Sequence, residues 1–320
     1  MLRRTLIAGL ALSPALPSAA RAAGTYSAFV QKLQGQALAA GIPPNVAAQA
    51  VASLTVPNPT VLKFDHHQAE FTETYATYSS HVLNATRIKN GQAKYSASAP
   101  LFAAITSRFG VAAGPMLGIW GLETNYGADQ GDFYVIDALA TLAWDRNSTY
   151  FAHEAVKAMQ IIANGDAPAG QFSGSYAGAM GQPQFMPSVY LSTAIPFAGS
   201  GAPDIWHSEG DALASMANYL VKAGWQSDQP SSEPVYAHLA SDAGTGRKNI
   251  QTISYWENRG VQRFPGAHSL PGDFPAALLL PDGVNGQAFL AYKNFSVIRR
   301  YNPSDFYALA TDALGRAILA

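Results

Sequence analysis

The sequence predicts a mainly α protein of the α+β class, a helical body followed by a small β-containing lobe and a closing helix. Three observations carry this. Apolar residues recur at helical spacing from Tyr26 to Trp225, and Asn302 to Ala320 carries one apolar stripe of Phe306, Leu309, Ala310, Leu314 and Ile318. Between them, Ser227 to Gly272 is polar, rich in Gly, Pro, Ser and Asp, and broken into short β-type runs such as Thr252 to Tyr255.

The elements follow in order. Tyr26 to Ala39 places Phe29, Leu33 and Ala37 on one helical face before the Gly41-Ile-Pro-Pro44 stop, and Asn45 to Ser53 restarts as a short alanine-rich helix. Phe64 to Lys89 reads as one long polar helix or two, and Ala99 to Phe109 is amphipathic with Gly110 as its stop. Pro115 suits a first helical turn, and Met116 to Glu123 follows as an almost wholly apolar helix that belongs in the interior. Val135 to Trp144, Phe151 to Ala163 and Ser208 to Lys222 are further helices, the last with Ser208 as N-cap. Ala276 to Leu280 and Ala288 to Tyr292 read as strands joined through the Pro281-Asp-Gly283 turn. The expected division is 23–225 for the helical region, 226–300 for the β-containing lobe, and 301–320 for a helix docking back on the main body.

Residues 1–22 read as an export signal: Arg3 and Arg4, a proline-broken apolar stretch, and Ala20-Arg-Ala22 as a small-x-small cleavage site. The Arg3-Arg4 pair leaves the general and twin-arginine routes both open. Removing this segment takes three arginines, leaving 17 basic against 21 acidic groups and a formal charge of −4. Nucleic acid is an unfavourable partner for such a chain. There is no cysteine, hence no disulfide and no thiol for a lipid anchor, and no later apolar run reaches a membrane span. The expectation is a soluble periplasmic protein without cofactor. The seven histidines are scattered, and the His66-His67 pair lacks the spacing of a zinc site.

The chemistry centres on Glu123. Fourteen uncharged residues, Phe109 to Leu122, precede it. A carboxyl framed by Ile119, Trp120 and Leu122 is poorly hydrated, and the C-terminal end of a helix further opposes its negative charge. Two readings fit this string: a general acid, or a structural glutamate closing a buried helix. A second segment, Gly174 to Pro187, packs three glycines and two prolines among aromatic and amide groups. That texture suits a backbone approached closely by a sugar, and it also suits an ordinary tight loop.

The ordered series Gly41-Ile-Pro43, Gly118 to Gly127, Asp137 to Leu142, Gly174 to Tyr190, Asp211 to Trp225 and Asn294 to Tyr307 resembles the lytic murein transglycosylases of the B type, glycoside hydrolase family 103. The resemblance implies a lysozyme-like helical catalytic core with an additional N-terminal α part and a small β-containing part. It implies cleavage of the β-1,4 bond between N-acetylmuramic acid and N-acetylglucosamine, with Glu123 acting first as acid and then as base to leave 1,6-anhydromuramyl ends. Ordinary glycosidases need two carboxyl groups, whereas Asp129, Asp132, Asp137 and Asp145 read as caps and solvated turns. A hydrolytic muramidase and a non-catalytic peptidoglycan-binding scaffold are the competing functions.

Position by position, the resemblance makes Ser175 the hydroxyl that orients Glu123 or the substrate acetamido group, and Gln184 a sugar ligand. Tyr219, Tyr301, Asn302 and Tyr307 match groove positions, Tyr78 another aromatic contact, and Arg146 the segment that meets the muramyl lactate or peptide. Glycan strands are the implied partner, with cell-wall synthesis or division proteins as further ones. Two departures stand out. Relatives often carry paired arginines where this chain has Arg146-Asn147, which leaves one guanidinium fork for a substrate carboxylate. Where some relatives carry an acidic calcium loop, Phe197 to Pro203 holds no carboxylate, and calcium requires several oxygen ligands. Turnover and melting temperature are therefore predicted to be the same in excess chelator and in millimolar calcium; a calcium-dependent rise in melting temperature would contradict the metal-free assignment.

Overall fold

Side-chain caps set most helix boundaries in the computed structural model, which describes residues 24–67, 73–167, 172–239, 241, 244–266 and 270–320. The expected export signal lies outside the described residues. Helix α1 (Tyr26–Ala39) begins where Thr25 Oγ1 accepts the Ala28 amide, and α2 (Pro44–Val51) begins at a proline that needs no amide partner. In α3 (Pro59–His66), Asn58 Oδ1 accepts from the amides of Thr60 and Val61. The run from Phe64 to Lys89 is neither one helix nor two. It holds the end of α3, then α4 (Tyr75–Val82), then α5 (Ala85–Ala97), because Thr74 and Asn84 each cap an amide three residues on. Polar periodicity conceals such breaks, since a side chain that caps also fits a solvated helical face.

Helix α6 (Ala99–Phe109) stops at Gly110, which adopts the left-handed φ of 66°. Helix α7 (Ala113–Thr124) follows, with Met116, Leu117, Ile119 and Trp120 wholly buried. Strand β1 (Phe133–Tyr134) leads into α8 (Val135–Asp145) and α9 (Thr149–Ala163); β2 (Ser173–Gly174), α10 (Pro187–Thr193) and α11 (Glu209–Lys222) come next. Ser208 caps α11 as expected, accepting the Asp211 amide at 3.1 Å. The remaining elements are β3 (Ser232–Ala237), β4 (Ile250–Thr252), α12 (Ile253–Glu257), β5 (Val261–Arg263), β6 (Pro275–Leu279), β7 (Ala288–Ala291), α13 (Lys293–Tyr301) and α14 (Asp305–Leu319). Thr252 to Tyr255 is therefore not a strand: Thr252 ends β4 and its hydroxyl caps α12.

The chain gathers into two compact units. Among the described residues, one joins 24–67 with 123–218, the other 73–122 with 219–320. In the second, an antiparallel sheet of order β4-β6-β7-β3-β5 covers a core of Val235, Trp256, Leu278 and Leu290. The turn between β6 and β7 serves this unit twice, because the Asp282 carboxylate accepts the Tyr75 and Ala76 amides at 2.6 and 2.9 Å and so caps α4. Among the described residues no single helix is long and apolar enough to cross a membrane; α6 and α7 pass that test only together, bent by 115°.

Helices α7 and α14 of this unit cross at close range. A Cβ on Gly118 would fall well inside contact distance of the Thr311 carbonyl, and one on Gly315 would collide with the Gly114 carbonyl. Gly114 and Gly118 stand four residues apart on α7, as Thr311 and Gly315 do on α14, so small residues line both sides of the crossing. Gly118→Ala forces two backbones apart and is predicted to destabilise the protein by about 1–3 kcal/mol. Thermal unfolding measures this, and an unchanged melting temperature would refute the close crossing.

Candidate active site

Glu123 is the penultimate residue of α7 and is 8% exposed. The chain leaves it through three consecutive left-handed residues, Asn125 (φ 48°), Tyr126 (φ 62°) and Gly127 (φ 85°). For Asn and Tyr this backbone is strained and persists only because neighbours hold it. Thr124 is the principal holder. Its hydroxyl donates to the Gln182 carbonyl at 2.9 Å and accepts the Gly127 amide at 3.1 Å, and its carbonyl accepts the Asp129 amide at 2.9 Å. A Cβ on Gly127 would sit 2.7 Å from Gln182 Oε1, so the turn fits only glycine at that point.

The Gln182 carbonyl belongs to the Gly174–Pro187 segment, which folds as two successive tight turns. The Ser175 amide donates to Ala179 O at 2.8 Å and Gly178 N to Ser175 O at 3.0 Å; Met180 and Phe185 then exchange both of their amide hydrogen bonds. Gly178 and Gly181, at φ 82° and 64°, face Leu139 and Ile205 so closely that a Cβ would overlap them. Ser175 Oγ accepts two amides, from Ala177 at 3.3 Å and Ala179 at 3.0 Å, which leaves the hydroxyl proton as its outward function. Gln184, itself left-handed at φ 51°, directs its amide nitrogen to the carbonyls of Gln130 (3.1 Å) and Gly181 (2.9 Å). Only the Gln184 side-chain oxygen is then left to meet a ligand. Sequence reasoning missed the structural parts of Thr124 and Gln182, for which the adjacency of Thr124 to Glu123 was the only signal.

Arg146 sits elsewhere in the same unit. Its Nε lies 2.8 Å from Asp65 Oδ2 and its Nη2 on Asp65 Oδ1, a bidentate pair in which the Asp65 side chain is only 5% exposed. The fork that the sequence offered to a substrate carboxylate is thus already engaged with the protein's own. His66 Nε2 lies 2.7 Å from Asp145 Oδ2 beside this pair. Ligand atoms of Asp65, His66 and Asp145 lie within 4.8 Å of one another, but a cation among them would face the Arg146 guanidinium. Asp137 also has a structural setting: it accepts Asn58 Nδ2 at 2.6 Å, and burial raises its pKa against the lowering effect of that hydrogen bond. The Phe197–Pro203 loop is fastened by Asp211, whose carboxylate accepts the amides of Phe197 and Asp204, both at 2.9 Å.

The other unit holds Tyr78, Tyr219, Tyr301, Asn302 and Tyr307. Tyr219 and Tyr301 meet edge to face with centroids 4.9 Å apart, and the Tyr219 hydroxyl donates to the Arg300 carbonyl. Burial raises the Tyr219 pKa, opposed by the nearby Arg300 charge, so the phenol remains a neutral donor. Asn302 is 4% exposed and its Oδ1 accepts the Ser304 amide, while Ser304 Oγ accepts that of Tyr307, which is itself 3% exposed. Tyr78 packs on Phe306 at 5.9 Å.

Comparison with known proteins gives these parts a context. Residues 25–316 match the family model described as the transglycosylase SLT domain. The chain belongs to that family. Over 217 residues it is 36% identical to membrane-bound lytic murein transglycosylase B of Escherichia coli (strain K12), an alignment that covers 66% of this chain and 58% of that protein. The chain therefore spans less than two thirds of that relative's length. SltB3 of Pseudomonas aeruginosa, solved in complex with NAG-anhNAM-pentapeptide, matches with TM-score 0.87 and 36% identity over 93% of this chain and 80% of that one. Slt35, a lytic transglycosylase of Escherichia coli solved in complex with calcium, matches with TM-score 0.78 and 27% identity over 91% and 92% of the two chains. These likenesses establish the expected lysozyme-like, mostly helical fold.

Removing the Arg146 guanidinium leaves the Asp65 carboxylate buried and unpaired. Arg146→Ala is predicted to destabilise the protein by about 3 kcal/mol, with Asp65→Asn/Arg146→Met recovering part of that loss. Equal melting temperatures for the parent and the Arg146→Ala variant would mean that the pair holds nothing.

Proposed function

We propose that this chain is a peptidoglycan lytic transglycosylase that cleaves between N-acetylmuramic acid and N-acetylglucosamine and leaves 1,6-anhydromuramyl ends. The observation that carries the reading is Glu123 itself, a carboxyl 8% exposed at the end of an apolar helix in a chain of the transglycosylase family. As general acid, Glu123 transfers its proton to the glycosidic oxygen as the bond to the muramyl anomeric carbon breaks. The substrate's acetamido group supports the positive charge at that carbon. The carboxylate so formed takes the proton of the muramyl 6-hydroxyl, whose oxygen closes on the anomeric carbon. Glu123 ends the cycle protonated, and no water is consumed.

Ser175 is assigned the donor that orients either Glu123 or the acetamido group, a role its hydroxyl suits because two backbone amides already fill its acceptor side. Gln184 is assigned to sugar through its side-chain oxygen. Tyr219, Tyr301 and Tyr78 offer ring faces to the strand, and Asn302 and Tyr307, being buried, act there mainly by shaping the Tyr301–Tyr307 turn. Arg146 contributes through the Nη1 hydrogens that Asp65 leaves unused. The bacterial envelope, reached through the segment 1–22, is the compartment that fits this substrate, and cell-wall synthesis or division proteins are the associated partners. Family membership and the likeness to murein enzymes support these assignments.

Mass spectrometry of fragments released from purified peptidoglycan tests the reading. The chain is predicted to release anhydromuramyl ends, and Glu123→Gln to lower the rate by roughly 10²–10⁴ while binding is kept. Reducing ends would indicate a hydrolytic muramidase, and binding without any fragments a scaffold.

A further inference from the structure

Trp206, between α10 and α11, is buried and has no part in the roles above. Its indole Nε1 donates to the Ser173 carbonyl at 3.0 Å, two residues before Ser175. Its own carbonyl accepts two side-chain amides, Gln130 Nε2 at 2.9 Å and Gln182 Nε2 at 3.2 Å. The same Gln130 nitrogen donates to the Gly127 carbonyl at 3.1 Å, inside the left-handed turn by which the chain leaves Glu123. The neighbouring Ile205 carbonyl accepts the Gln182 backbone amide at 2.9 Å, so the segment holds that turn by its main chain as well.

A tryptophan that only filled the core would use its ring, and this ring does pack, on Phe172 at 5.9 Å and Tyr190 at 5.8 Å. The polar contacts exceed what such packing requires. Both acceptor positions of the Trp206 carbonyl are taken by side chains from different turns, and the indole N–H holds the strand that enters a third. The segment is itself fastened to α11, because the Asp211 carboxylate accepts the Asp204 amide and Asp204 Oδ1 accepts that of Trp206 at 3.0 Å. A chain of hydrogen bonds thus runs from a helix through Trp206 to Gly127 on one side and to Ser173 on the other. Such a network passes a displacement at one turn to the other.

We propose that Trp206 is a positioning residue for the reaction, with Gln130 as its arm to the Glu123 turn. It touches no substrate. It sets the separation of the Glu123 carboxyl from the Ser175 hydroxyl, on which the rate depends and substrate affinity does not. The inference rests on the reading that Glu123 and Ser175 act on the glycan strand.

Two substitutions test it. Trp206→Phe keeps an aromatic ring against Phe172 and Tyr190 and removes the N–H; Gln130→Met, at a half-buried loop position, keeps length and removes the bridging amide, and it decides the matter alone if Trp206→Phe does not fold. Each is expected to lower kcat on soluble peptidoglycan fragments about tenfold with KM unchanged. In a Ser175→Ala background the same substitutions should cost less than about twofold, since a residue that acts through Ser175 loses its effect once that hydroxyl is gone. Hydrogen exchange reads the bridge without turnover. Gln130→Met should speed exchange at the Ser175 and Ala179 amides about tenfold while the amides of α9 in the same unit keep their rates. Three results would each overturn the proposal: kcat unchanged in Gln130→Met, the full loss of kcat persisting in the Ser175→Ala background, or exchange quickened equally in α9, which is the mark of general destabilisation. Failure of the transglycosylase reading appears separately, as the absence of anhydro ends from the unmodified chain, and the exchange rates then decide the bridge by themselves.

Discussion

The close crossing of α7 and α14 is the constraint on which the placement of Glu123 depends. Helix α7 is apolar nearly all round, so burial alone gives it no preferred rotation about its axis. The glycines do. Gly114 and Gly118 can face only Thr311 and Gly315, because any side chain at Gly118 or Gly315 would meet a backbone carbonyl. With that face fixed, the direction of every other side chain on α7 is fixed as well, and so is the end of the helix that bears Glu123. The chain then turns through left-handed residues, which Thr124 stabilises with hydrogen bonds to both sides. Strain in Asn125 and Tyr126 is thus offset by a buried hydroxyl and by the neighbouring Gln182 carbonyl.

The Gly174–Pro187 segment follows the same logic. Its glycines stand where Leu139, Ile205 and the Ala179 carbonyl come closest, and its side-chain amides are engaged with main-chain carbonyls. Little in it is left to adjust when a ligand arrives, which is what a site that must hold reacting groups requires. Ser175 illustrates this: two amides fix its oxygen, and its proton is the one element still able to turn.

Much of the fold was legible in the sequence because packing and capping act locally. The bounds of α1 and α6 follow from their apolar spacing and stops, and Ser208 announced α11 by its cap. The segment around α3, α4 and α5 was illegible for the opposite reason: Thr74 and Asn84 act as caps only because the chain turns there, and the Asp282 carboxylate that completes the α4 cap lies 207 residues away. Thr252 misled in the same way, a β-branched residue whose hydroxyl starts a helix. At the site, the isolation of Glu123 among apolar neighbours was visible from composition. The pairing of Arg146 with Asp65, across 81 residues, was not, since nothing local distinguishes an arginine held by a buried acid from one that awaits a substrate.

In the proposed reaction one carboxyl, Glu123, serves both halves and the attacking oxygen belongs to the substrate. Digestion of peptidoglycan in water enriched in oxygen-18, with mass analysis of the fragments, tests this most directly. Anhydromuramyl ends that carry no heavy oxygen are expected. Incorporation of one oxygen-18 at each new muramyl end during turnover would contradict it, by showing that water rather than the 6-hydroxyl attacks the anomeric carbon.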